Sequence, residues 1–244
     1  MRNPNEWLEL DGRKAPVHYV CGYLPRSQGY DPISESILSL KKNYRPAVNV
    51  WLGFMYDDFG KLEHDLKDIM VRALGHNEQR ATFASEKEQP LAYLCHRTAR
   101  ASRIRYPFDM IKKLHETPEL KYLSKEDRWD ALKDTFQVCY GYNRRTFRRF
   151  WFIDDVITTG ATARAVWKAL LKDYPDIDFR VYALARTVYD PTFNKELEED
   201  KAYQEMRDFY YPTVREEGQP YLSNFNGVLK LPMPSFNNEG TFFI

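Results

Sequence analysis

Residues Phe150 to Thr162, FWFIDDVITTGAT, constrain this chain more than any other stretch. An apolar run, Phe150 to Ile153, leads into two adjacent carboxylates, Asp154 and Asp155. Two β-branched residues follow, then a block made only of Thr, Gly and Ala, then a helical pattern from about Ala163 to Lys172. A continuous apolar run is the signature of a strand buried on both faces, which favours a parallel sheet covered by helices. In such sheets ligands bind beyond the carboxyl ends of the strands, where Asp154 and Asp155 fall.

Thr158, Thr159, Gly160, Ala161 and Thr162 have side chains small enough for backbone N–H groups to turn inward around an anion. Their hydroxyls add donors, and the helix that follows presents its positive end to the same point. Carboxylates repel phosphate, so the two halves of the motif need different parts of one ligand. A sugar phosphate supplies both, with hydroxyls for the acids and a phosphate for the turn. Taken separately, an acidic pair at a strand end is a cap or turn, and TTGAT is an ordinary loop; the strand–loop–helix frame that joins them points to a site. A Walker-type site is excluded by the missing Gly-Lys-Ser/Thr, and a dinucleotide fold by the missing GxGxxG.

The segment Ile153 to Thr162 resembles the 5-phosphoribosyl-1-pyrophosphate (PRPP) motif of type I phosphoribosyltransferases, an acidic pair followed by Thr-Thr-Gly-x-Thr. Trp151 and Phe152 are bulkier than the aliphatics usual in that strand. Upstream, Thr117, Leu123, Ser124, Arg128 and Phe136 occur at the spacing seen in ComF-like phosphoribosyltransferases, where this segment closes over the substrate. Leu120 and Ala131 depart from that pattern, standing where Gln and Asn are usual, and the zinc-ribbon cysteines of many members are absent. The resemblance covers roughly Leu91 to Thr187.

It implies an α/β fold: a type I phosphoribosyltransferase-like core with a mostly parallel sheet flanked by helices, plus N- and C-terminal additions. The expected division is 1–89 as an addition or hood, 90–189 as the core and 190–244 as an extension. The activity implied is transfer of the phosphoribosyl group of PRPP to an unidentified nitrogenous acceptor, with release of pyrophosphate. Asp154 and Asp155 are the expected catalytic acids, holding the ribose diol and touching Mg²⁺, the implied cofactor. Thr158 to Thr162 are the expected phosphate contacts. Two alternatives stand beside this: a PRPP or nucleotide sensor without turnover, and a ComF-like protein associated with DNA uptake or nucleic-acid metabolism.

With 36 basic and 35 acidic residues, the net charge of +1 gives no global drive toward nucleic acid or membrane. No secretory signal or membrane-length apolar run is seen, so a cytoplasmic location is expected, and a homodimer is allowed. Cys21, Cys95 and Cys139 are too few and too scattered for a disulfide framework or zinc site, and buried free thiols are expected.

Elsewhere the pattern gives strands at Val17–Leu24, Ala47–Met55, Pro90–Cys95, Phe136–Tyr142 and Phe179–Leu184. It gives helices from Asp31-Pro32, over Leu62–Leu74, around Phe108–Leu114, from Ser124 and over Lys195–Phe209. Asp57 and Asp58 are expected to open the helix over Leu62–Leu74. Arg97, Arg100, Arg103 and Arg105 follow the Pro90–Cys95 segment and are candidates for pyrophosphate, Arg97 and Arg100 foremost. Arg144, Arg145, Arg148 and Arg149 are read as a solvated hairpin end.

Overall fold

The computed structural model describes residues 3–117, 123–142, 147, 149–201 and 203–205. The expected positions Leu120, Arg144, Arg145 and Arg148 and the tail beyond 205 lie outside them. In chain order the strands are β1 (Glu6–Leu10), β2 (Arg13–Tyr23), β3 (Ile69–Arg72), β4 (Ile111–Lys113), β5 (Phe136–Val138), β6 (Arg149–Ile157) and β7 (Asp178–Thr187). The helices are α1 (Pro32–Lys41), α2 (Arg45–Gly60), α3 (Phe83–Glu88), α4 (Pro90–Ser102), α5 (Lys125–Ala131), α6 (Ala161–Leu171) and α7 (Lys195–Glu199).

A five-stranded sheet has the order β1-β2-β7-β6-β3. β2, β7, β6 and β3 run parallel, and β1 is an antiparallel edge. Residues 1–89, read above as an addition or hood, therefore supply β1, β2 and β3 of this sheet. β4 and β5 form a separate antiparallel pair.

β6 lies inside the sheet between β7 and β3 and is buried on both faces. Phe150 and Phe152 point into one core with Val166, Trp167 and Leu170 of α6. Trp151 and Ile153 point into the other, under α1, α2 and α4. Alternate side chains leave a strand on opposite faces, so an unbroken apolar run is what two cores demand.

Four elements differ from the sequence reading. Ala47–Met55 is not a strand: it belongs to α2, with Pro46 in the first turn and Ala47, Val48, Trp51, Leu52, Met55 and Phe59 buried at helical spacing. Asp57 and Asp58 accordingly lie in its last turn rather than at a helix start, with Asp57 Oδ2 2.6 Å from Lys61 Nζ. The Leu62–Leu74 stretch carries β3, whose four residues are all buried. Phe108–Leu114 carries β4.

The fourth is Pro90–Cys95, the first half of α4, where Pro90 occupies the helix start that tolerates a missing N–H. In the polar stretch between β3 and α4, α3 is opened by a reciprocal capping box between Thr82 and Ser85. The helix starts read at Asp31 and Ser124 hold: Asp31 Oδ2 accepts the Ser34 N–H at 2.7 Å, and Ser124 Oγ accepts that of Asp127 at 3.1 Å.

Candidate functional site

β6 delivers Asp154 and Asp155 to the carboxyl end of the parallel strands. Asp154 pairs with Ala183 of β7, the ladder continues as Val156–Ala185 and Ile157–Arg186, and the chain after β3 is tied in by the Ala73 N–H donating to Ile153 O at 2.8 Å. Each acid has one anchored oxygen. Asp154 Oδ1 accepts the Asp155 N–H at 2.9 Å, and Asp155 Oδ1 accepts the Val156 N–H at 2.6 Å. Asp155 Oδ1 also lies 2.9 Å from Lys41 Nζ. Among the described residues nothing binds Oδ2 of either acid.

Burial, and then the charge of Asp155, push the Asp154 carboxyl well above the ordinary range, with Lys41 pulling the other way. Burial pulls the Lys41 ammonium down, but Asp155 and Asp154 outweigh it and hold it above its usual value. Toward neutral pH Asp154 therefore tends to keep its proton, while Asp155 is ion-paired with Lys41. Lys41 had only its place in the α1 pattern to mark it, and no local signal in the sequence pairs it with Asp155.

The turn after β6 is built by Gly160, which caps α6 at φ +73°, a left-handed conformation that glycine adopts without penalty. A Cβ at Gly160 would fall 2.5 Å from Leu8 Cδ1 on β1, so the strand also needs the missing side chain. Thr158 is held by a 2.9 Å hydroxyl contact with Thr187. Arg186 donates to the carbonyls of Ile157 and Thr158 and pairs with Glu6 at 2.7 Å. These contacts fix the carbonyl side of the turn. Among the described residues, none accepts a hydrogen bond from the N–H groups of Thr159, Gly160, Ala161 and Thr162, or engages the hydroxyls of Thr159 and Thr162. A helix start with free amides and the positive end of its dipole can take an anion.

The structure thus brings together Asp154, Asp155 and the Thr158–Thr162 turn, and adds Lys41. It does not bring the arginines to them. Arg97 and Arg100 ride on α4 beside Tyr56 of α2. Arg103 ends α4, and Arg105 bridges Ile69, at the amino end of the parallel strands and so opposite Asp154. Reading Pro90–Cys95 as a strand carried the run to the wrong end of the sheet, because a helix after β3 returns toward the strands' starts. Arg149 is not solvated but buried among Asp178, Asp68 and Glu63.

Mg²⁺, the implied cofactor, takes hard oxygen ligands. Two carboxylates, each with a free oxygen, are hard ligands of the kind Mg²⁺ takes, commonly one or two from the protein with the rest from water and phosphate. Among the described residues no cluster of three or more His, Cys, Asp or Glu side chains could hold a metal alone. The residues fit a cation shared with a ligand. All three cysteines are buried and free. Among the described residues no helix is long and apolar enough to cross a membrane.

No protein-family profile matches the chain. It is 35% identical over 78 residues to competence protein F of Haemophilus influenzae; the match covers 32% of this chain and 34% of that protein, about a third of its length. Among solved structures it is similar to adenine phosphoribosyltransferase from Leishmania tarentolae, at 10% identity and a TM-score of 0.37, over 74% of this chain and 85% of that one. The enzyme from Leishmania donovani gives 12% and 0.34, over 69% and 64%.

Proposed function

We propose that this ComF-like chain, with its type I phosphoribosyltransferase-like motif, binds PRPP with Mg²⁺ and transfers the phosphoribosyl group to a nitrogen nucleophile, releasing pyrophosphate. The observation that carries the reading is the pair of unengaged Oδ2 atoms, next in the chain to a turn whose amides are also unengaged. A sugar phosphate uses both, giving its ribose hydroxyls to Asp154 and Asp155 and its 5-phosphate to the amides and hydroxyls of Thr159 to Thr162.

Departure of pyrophosphate from C1 develops positive charge on the ribose ring, so the protein's task is placement and charge stabilisation, with no covalent nucleophile. Asp155, ion-paired with Lys41, is the group suited to favour that charge. Asp154, with its carboxyl proton retained toward neutral pH, is suited to hold a hydroxyl in a fixed direction. Bound Mg²⁺ would neutralise oxygens of the leaving pyrophosphate, and Asp154 and Asp155 would hold it directly or through water. The pyrophosphate role expected of Arg97 and Arg100 finds no support in their place beside Tyr56.

The test is a thermal shift of the full chain with PRPP and Mg²⁺, followed by a pyrophosphate-release assay against a panel of purine and pyrimidine bases and ammonia. Stabilisation together with release is expected. Stabilisation with no release from any acceptor would leave a sensor, and no stabilisation would sink the reading.

A further inference from the structure

Among the described residues, Arg72, Arg186 and Arg164 near the carboxyl edge of the sheet are committed to structural partners. Arg72 is buried between Glu78 and Glu86, 2.5 and 2.8 Å away. Arg186 is spent on Glu6 and the carbonyls of the turn, and Arg164 on Asp11. Lys41 differs because its partner, Asp155, is itself a proposed ligand group. Whatever occupies Asp155 must come to terms with Lys41.

Resting on the phosphoribosyl reading above, we propose that Lys41 is a substrate-binding residue that exchanges partners. Without ligand it is the counter-ion of Asp155 and keeps free divalent cations off the acidic pair. When a sugar pyrophosphate arrives with its own cation, the ammonium leaves Asp155 and pairs with phosphate oxygens.

The geometry allows this exchange. Lys41 is the last residue of α1, on a flexible stem with its side chain 43% exposed, whereas that of Asp155 is 23% exposed. A lysine is a compact point charge with rotatable donors, able to change partners without a fixed fork of contacts. The ligand is a polyanion and cannot approach two acids unless positive charge comes with it or is already there. A cation supplied by the chain meets part of that need. It also makes the acids a poor site for metal alone, so that metal and sugar pyrophosphate enter together.

The experiment compares wild type, Lys41→Met and Lys41→Arg by calorimetry. One arm titrates Mn²⁺ alone, and the other titrates PRPP in saturating Mg²⁺. Removing a positive charge within contact distance of Asp155 should tighten Mn²⁺ about tenfold and weaken PRPP by a similar factor. Lys41→Arg should stay near wild type in both arms. Opposite shifts for the two ligands support the exchange, since loss of local structure would weaken both. Shifts of the same sign, or an unchanged Mn²⁺ affinity in Lys41→Met, overturn it. The underlying reading fails separately, if wild type binds no PRPP, while the Mn²⁺ arm still reports whether Lys41 guards Asp155.

Discussion

The two ends of β6 both carry charge into a buried setting, and they treat it in opposite ways. At the amino end Arg149 Nε lies 2.6 Å from Asp178, its Nη1 lies 3.2 Å from Asp68 and 2.8 Å from Glu63 O, and Trp151 Nε1 also donates to Asp68. Asp178 is held below its ordinary value: burial pushes it up, but Arg180 and Arg149 outweigh it. At the carboxyl end Asp154 is pushed up instead, and among the described residues two carboxylate oxygens and four amides of the following turn have no protein partner. One end is a cluster of buried ion pairs that joins strands, though Asp68 Oδ1 within it has no partner; the other leaves oxygens and amides unengaged at the sheet's carboxyl edge. Accessible acceptors and donors without a protein partner at the carboxyl edge of a parallel sheet are where a ligand is expected.

The sharpest way to break this contrast is at the amino end. Arg149→Met strands the Asp68 carboxylate, whose side chain is fully buried. Uncompensated buried charge costs about 3–5 kcal/mol, measurable as a lower urea midpoint. A loss below about 1 kcal/mol would mean the cluster is as open as the site. At the other end Asp155→Asn should do the reverse, leaving the unfolding midpoint close to wild type and weakening PRPP by roughly 10- to 100-fold, the worth of hydrogen bonds to a charged group. Unchanged PRPP affinity in calorimetry would remove Asp155 from the site.

The open end was legible in the sequence, as were strands β2 and β7 and the start of α1; α2, β3, β4 and α4 were not, for physical reasons. Phe150 to Thr162 carries its whole argument locally: the strand, the acids, the glycine at positive φ and the helix start are consecutive. α2 was misread because a helix packed under other helices is apolar on most sides, and AVNVWLGFM then looks like a buried strand until its spacing is weighed. β3 is only four residues and has no alternation to show. α4 hid its identity behind Pro90, which marks a helix start as readily as it breaks a strand. Lys41 and the Asp68–Arg149 cluster join elements distant in the chain, and a single sequence carries no sign of such pairs.

A smaller effect separates conformation from contact within the open end. Gly160→Ala forces an L side chain into the left-handed region, at about 1–2 kcal/mol, and drives its methyl against Leu8. Adding Leu8→Ala should recover the steric part and leave the backbone part. Because Leu8 offers only the end of a flexible side chain, the recovery should be partial. Full recovery would show that the backbone conformation costs nothing, and no recovery that the strand does not press on the turn. Either result is read from denaturant midpoints.

The smallest expected effect is also the one that tests whether openness carries a cost. Asp154 takes up its proton more readily in the folded chain than in the unfolded one, because burial and Asp155 raise its pKa. Between the ordinary carboxylate value near 4 and the raised one, the folded state therefore binds more protons than the unfolded state, and stability falls as pH rises through that window. Asp154→Asn keeps an oxygen able to accept the Asp155 N–H but cannot ionise, so this slope should disappear. The variant should match wild type near pH 4 and gain on it with rising pH, on the order of 1 kcal/mol by pH 8 once the share of Lys41 and of solvent is allowed for. Arg149→Met at the amino end should show no such gain at any pH. If Asp154→Asn is instead less stable than wild type at pH 8, the carboxylate is already satisfied by the fold, and the two ends of β6 do not differ in the way their contacts indicate.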